Sequence, residues 1–301
     1  MKKQYFILLS SFFLSLLFFA LSGCSTTKTV VGKIVTDAPD LKKRVMIAPL
    51  VDQAKFGRER TAQIAANFVE LLKESPHLLL FQGPQDIHSG TGSKSAEFGI
   101  VIPPELVKRA QDLGMNALII SVLNPLEATT RKTGIWPFRD ISRIIEISMT
   151  VNIVDTTSGC LYLTELDSEE MDFLIDELPG RDENEVIDQI IEAKMPRILE
   201  RQSSAVIESL VKEPWTGKIL AVENGMIKIN GGKDVGVLPD QLFTVFARGE
   251  SITCRAGRSF DILGKKIGQI KTTSIMENHS LAVPVAEGSF LAGQTIRAVG
   301  D

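Results

Sequence analysis

Histidine, tryptophan and tyrosine are scarce in this chain of 301 residues, at three, two and two respectively. Aromatic residues make up only 6%, too few for an obvious surface that stacks sugars or bases. His77, His88 and His279 stand alone, and no Cys or His pair has the spacing of a metal site. With no Gly-x-Ser-x-Gly elbow and no base set beside a nucleophile, a hydrolytic triad finds no support. Paired acids for glycoside cleavage are a matter of spatial separation, and no particular pair stands out. A basic excess is missing too. The net charge is −4, and without Lys2 and Lys3 the rest carries −4 − 2 = −6, which argues against nucleic acid, whose phosphates need cations. Ser93-Lys94-Ser95 comes nearest to a phosphate loop, but that motif needs glycine where Ser93 and His88 stand. The expectation is a non-enzyme with no cofactor and no metal.

Against these absences the first 24 residues stand out. Lys2 and Lys3 precede an apolar stretch from Tyr5 to Ala20, and Leu21-Ser22-Gly23-Cys24 follows. A positive head, an apolar core and small residues before a cut are what a secretory signal requires. An uncleaved transmembrane anchor is the rival, since the run approaches the roughly 20 residues that cross a bilayer. Ser10, Ser11 and Ser15 dilute it, however. Leu21 to Cys24 resembles the bacterial lipobox. That resemblance implies cleavage after residue 23, a diacylglyceryl group on the Cys24 sulfur and a fatty acyl chain, such as palmitate, on the new amino end. Ser25, rather than Asp, follows the cysteine, and by resemblance to Gram-negative lipoproteins this favours the outer membrane, with the body facing the periplasm. Beyond it, 24–43 is small and threonine-rich and suits a flexible leash.

Periodicity organises the remainder. Val45 to Val51 is a short apolar run suited to a strand buried on both faces. Thr61 to Lys73 places Ile64, Phe68, Leu71 and Leu72 at helical spacing. Leu78 to Phe81 is the next strand, and a loop rich in Gly and Ser spans Gly83 to Ser95. A helix starts at Pro103-Pro104 and is capped by Gly114, and Ala117 to Leu123 returns to a buried strand. That alternation is an α/β layer with helices on a largely parallel sheet. Ile141 to Val154 and Cys160 to Leu166 then form a hairpin. Eleven carboxylates between Glu165 and Asp188 lack the arrangement of a calcium loop and suit a solvated edge. Glu185 to Lys212 is helical, and Pro196 should kink or divide it. After Pro214 come glycine-punctuated strands, with Asn224-Gly225 as the strongest hairpin signal. Domains of 44–213 (α/β, a mixed sheet with packed helices) and 214–301 (a small all-β barrel) follow. Cys160 and Cys254 fall in different domains, as two free thiols or, less readily, a bridge.

One segment carries a functional reading. Arg131 to Arg139 puts Trp136 and Phe138 in a loop between strands, flanked by cations that include Arg139. Either Trp136 folds back onto the sheet, or Trp136, Phe138 and Arg139 contact a partner or membrane.

Val45 to Leu50, the helix through Phe68 and Leu72, the Ala110, Leu113, Gly114 and Ala117 to Ile120 stretch, and Val154-Asp155 with Ser158-Gly159 carry a family resemblance. The first domain resembles the α/β domain shared by the amino-terminal part of TolB, the curli-secretion lipoprotein CsgG and the middle domain of flagellar assembly protein T. Gly217-Lys218, Asn224-Gly225, Ile229 to Gly232, Gly236-Val237 and Gly268 make the second domain resemble the latter protein's carboxy-terminal barrel. Flagellar assembly protein T carries a further small domain before the α/β one, where this chain has only its leash. The resemblance implies a lipid-anchored scaffold or assembly protein whose partners are the membrane, through Cys24, and other envelope proteins. A homo-oligomer is compatible with it, and a curli-type channel subunit is the alternative. Mass spectrometry of the native protein should find thioether-linked diacylglycerol on Cys24, and Cys24→Ala should leave the membrane fraction.

Overall fold

The computed structural model describes residues 41–84, 104–174, 180–253, 259–286 and 288–299. The leader, Cys24, nearly all of the leash, most of the glycine-serine loop with Ser93 and His88, and Cys254 lie outside them. No helix among the described residues is long and apolar enough to cross a membrane.

The first half builds one seven-stranded mixed sheet. Strand β1 (Lys43–Ile47) pairs in parallel with β3 (Leu78–Gln82) on one side and with β4 (Ala117–Leu123) on the other. The short β2 (Val51–Asp52) lies parallel to the end of β4. β4 pairs antiparallel with β6 (Phe138–Asp155), and β7 (Leu161–Leu174) runs along the far side of β6. β5 (Glu127–Ile135) continues beside β6 where β4 ends. Every residue of β1 and β4 is buried; Val45–Ile47 and Ala117–Leu123 accordingly read as apolar runs, broken only at Ser121, while Lys43 and Arg44 at the start of β1 are buried polar side chains. Helices α1 (Arg58–Lys73) and α3 (Glu183–Lys212) cover one face, packing Phe68, Leu72, Ile198 and Val206 against Ile47, Ile119 and Val151. Helix α2 (Pro104–Asp112) covers the other, with Leu106 and Ala110 on Met46, Leu118 and Ile120.

Two details depart from the sequence reading. Pro196 does not divide α3, which is one helix of 30 residues capped by Asp182. The buried Met195, Ile198 and Leu199 around Pro196 hold the turn together, since packing of an apolar face outweighs one lost ladder bond. The segment from 131 to 139 is no loop: β5 and β6 run to Ile135 and Phe138 with only Trp136-Pro137 between them.

The second half is a closed antiparallel barrel in the order β10-β11-β12-β9-β8-β13. Its strands are β8 (Thr216–Glu223), β9 (Met226–Ile229), β10 (Leu242–Thr253), β11 (Ser259–Ile275), β12 (Ser280–Pro284) and β13 (Thr295–Ala298). Asn224 and Gly225 join β8 to β9 at φ 50° and 77°, the pair of positive values that a type I′ turn demands. Phe243, Ile229, Ile270 and Ile296 fill the interior beside Trp215. The indole lies so close to Gly217 that a Cβ there would sit 2.4 Å from its Cη2.

A polar clamp fixes the barrel to the amino ends of β1 and β4. Arg44 donates from Nε and Nη2 to Asp234 Oδ2 at 2.9 and 2.6 Å, and also to the carbonyls of Asn278 and Asn230. The Lys42 N–H donates to Val235 O at 2.9 Å. Asn116 accepts from Arg44 N at 2.9 Å and donates to Thr216 O, and sheet and barrel form one compact unit. With the Arg44 side chain only 9% exposed, removing its carboxylate strands a charge. Asp234→Ala should therefore cost about 3 kcal/mol in denaturant unfolding, whereas Lys108→Ala, on an exposed pair, should change little.

Candidate functional site

The sheet extends past its own core. Thr130, Arg143 and Phe173 lie in one rank across β5, β6 and β7, and Phe173 is the last fully covered side chain there, 2% exposed. From that rank the hairpin runs on through Arg131 to Ile135, about 17 Å at strand rise. All of β5 is exposed. At the tip Ile135, Trp136 and Phe138 are 83%, 78% and 86% exposed, so the indole does not fold back onto the sheet. Gly134 closes the hairpin at φ 92°, where a Cβ would meet Phe138 O at 2.2 Å; only glycine fits. Arg131 reaches Glu170 and Asp172 at 3.3 and 3.7 Å. Lys132 and Arg139 have no ion-pair partner among the described residues.

The acidic segment resolves into an ionic seam with an open margin. Arg201 of α3 is bonded to Asp167 at 2.6 and 2.8 Å and to Glu169 at 2.8 Å, and these carboxylates push the Arg201 guanidinium above its usual pKa. Glu170 and Asp172, exposed on the edge of β7, face Arg131 of β5 across the sheet. No group of three or more His, Cys, Asp or Glu is arranged to hold a metal among the described residues. Cys160 is a free, half-buried thiol. His279 is half-buried beside Asn278. The phenol of Tyr162 is pushed far up by burial, with Asp155 and Glu213 adding to it, so it stays protonated.

A crevice of about 480 Å³ opens at the carboxyl ends of β1 and β3, lined by Ile47, Leu50, Phe68 and Ser121. Its carboxylate, Asp52, is occupied by Phe56 N, Gly57 N and Thr61 Oγ1 at 3.2, 3.0 and 3.1 Å, an arrangement that braces the entry to α1. No acid–base pair converges there. The hairpin tip is the feature whose side chains have no role in packing.

Neither a protein-family model nor a curated protein matches the chain. Solved structures similar to part of it include bacterial lipoproteins. Lipoprotein GNA1162 from Neisseria meningitidis is 14% identical over 57% of this chain and 99% of its own, with TM-score 0.28. The rare lipoprotein B from Shewanella oneidensis is 8% identical over 55% and 92%, with TM-score 0.26. A hypothetical protein, CT253 from Chlamydia trachomatis, is 16% identical over 57% and 98%, with TM-score 0.34. Likeness at such scores transfers no function.

Trp136 is open and Trp215 is buried at 3% exposure, so iodide should quench only part of the tryptophan fluorescence, and Trp136→Ser should abolish that part. Replacing Trp136 and Phe138 together by serine should move unfolding stability by less than about 0.5 kcal/mol.

Proposed function

We propose that this chain is a lipid-anchored, non-catalytic scaffold of the outer membrane that works from the periplasmic side by contact, through the tip of its strand arm. The observation that carries the reading is the fully exposed Ile135-Trp136-Pro137-Phe138 tip. Aromatic and Arg side chains with no internal packing duty are the usual anchors of interfaces. Leu41, where the described chain begins, belongs to the barrel core, at the amino end of β1, while the tip lies beyond the carboxyl end of β4. A body tethered through Leu41 holds the tip on its far side, open to other envelope proteins. The resemblance to TolB, CsgG and flagellar assembly protein T suggests that such contacts support a flagellar or secretion machine.

A curli-type channel is less well supported. The two arms of the hairpin reach the roughly 9 to 11 residues that cross an outer membrane, so length is not the obstacle. Composition is: Glu127-Ala-Thr-Thr-Arg-Lys-Thr-Gly-Ile135 shows no apolar face for lipid. Crosslinking in intact cells should capture envelope proteins on the native chain, and the Trp136→Ser/Phe138→Ser pair should lose them while staying folded and acylated. Retention of the same captured set by that pair would overturn the reading. For the flagellar form, co-purification with basal-body rings is expected, and a deletion strain of normal motility would discard it.

A further inference from the structure

Helices α1 and α3 lie side by side on the sheet, and their outer surfaces do not close. Between them runs a groove of about 420 Å³ with an apolar floor that includes Leu71, Ile191, Met195 and Pro196. Its rim is acidic. Asp188 is bonded to Arg60 at 2.6 Å and Glu70 to Lys73 at 2.6 Å. Glu74, Glu192 and Glu200 have no ion-pair partner among the described residues. Two cations of α3 turn to β7 instead, Lys194 to Glu169 and Arg201 to Asp167 and Glu169, and the exposed Arg197 makes no ion pair with Glu192 or Glu200. The groove is therefore an apolar trough edged with uncompensated negative charge. The hairpin tip is its converse, an apolar wedge of Ile135, Trp136 and Phe138 beside the unpaired Lys132 and Arg139.

We propose that the hairpin tip of one copy docks into the α1–α3 groove of a second copy. The proposal rests on the reading of the tip as an interface and names its occupant. A tip cannot reach its own groove. β6 is paired on both sides through Arg143, so the arm cannot fold back onto α1 and α3. Wedge and groove are different surfaces, so two copies either exchange tips about a two-fold axis and close as a pair, or make the contact once, in which case the pair keeps one free wedge and one free groove and repetition gives a ring or an open row. The ring faces of Trp136 and Phe138 supply apolar burial, and Lys132 and Arg139 against Glu192 and Glu200 supply orientation and register.

The test is photo-crosslinking of the full-length protein in intact cells, with benzoylphenylalanine in place of Trp136. The expected product has twice the protomer mass, and its crosslinked peptides fall within 60–74 and 188–200. Glu192→Lys with Glu200→Lys should lower that product about tenfold, and adding Lys132→Glu with Arg139→Glu should restore it. Thermal melting of each variant confirms that it is folded. A self-adduct mapping elsewhere, or one insensitive to the charge reversal, overturns the groove. An adduct with a different protein or with lipid overturns self-docking and leaves the tip an interface. No adduct of any kind overturns both.

Discussion

Backbone pairing along β6 is the constraint from which both the buried sheet and the exposed arm follow. Over Met149–Asp155 this strand is held between β4 and β7 and covered by helices, so its side chains belong to the core. Over Phe138–Glu146 it has lost β4 and gained β5, and the helices no longer reach its end. Because the ladder with β7 persists as far as Ser142, the outer half inherits the rigidity of the inner half. The tip is thus presented on a braced sheet rather than on a loop, which lowers the conformational entropy lost when it meets a partner. Arg131, Lys132 and Gly134 along β5 also make a poor template for edge-to-edge strand addition, which leaves the apolar end as the sticky part.

At the other end of the sheet the polar clamp does a different job. Arg44 and Asn116 are removed from water and Asp234 is half-buried, and desolvation offsets much of what their attraction contributes. Their directional bonds leave one orientation of barrel on sheet, because any rotation strands a guanidinium or an amide. Barrel and arm are consequently held at opposite ends of the same strands. The seam between Arg201 and the carboxylates of β7 holds α3 against the sheet and, by occupying the cations, leaves Glu192 and Glu200 to set the charge of the outer groove.

Much of the core was legible in the amino-acid order. β4 and the Val45 to Ile47 part of β1 are buried on both faces and are apolar but for Ser121, so they announce themselves, and Leu78 to Leu80 of β3 follows them as a short apolar run. α1 shows its stripe because one face meets the sheet, and Asn224-Gly225 announces its turn because few other pairs tolerate two positive φ values. β5 was not legible. With both faces in solvent, nothing selects alternation along Glu127 to Ile135, and its strand character comes entirely from hydrogen bonds to β6. Pro196 misled because local propensity carries no information about the packing of Met195 and Leu199.

The site divides along the same line. Sequence alone determined which residues are core, where the helices run, and that residues 131–139 combine aromatic rings with cations. Only the tertiary structure decided that those rings point outward, that barrel and tip lie at opposite ends, and that α1 and α3 leave an acidic groove between them. The physical reason is that exposure depends on which distant segment supplies the next strand or helix. A local pattern records what a side chain prefers, and the fold determines whether anything is there to cover it.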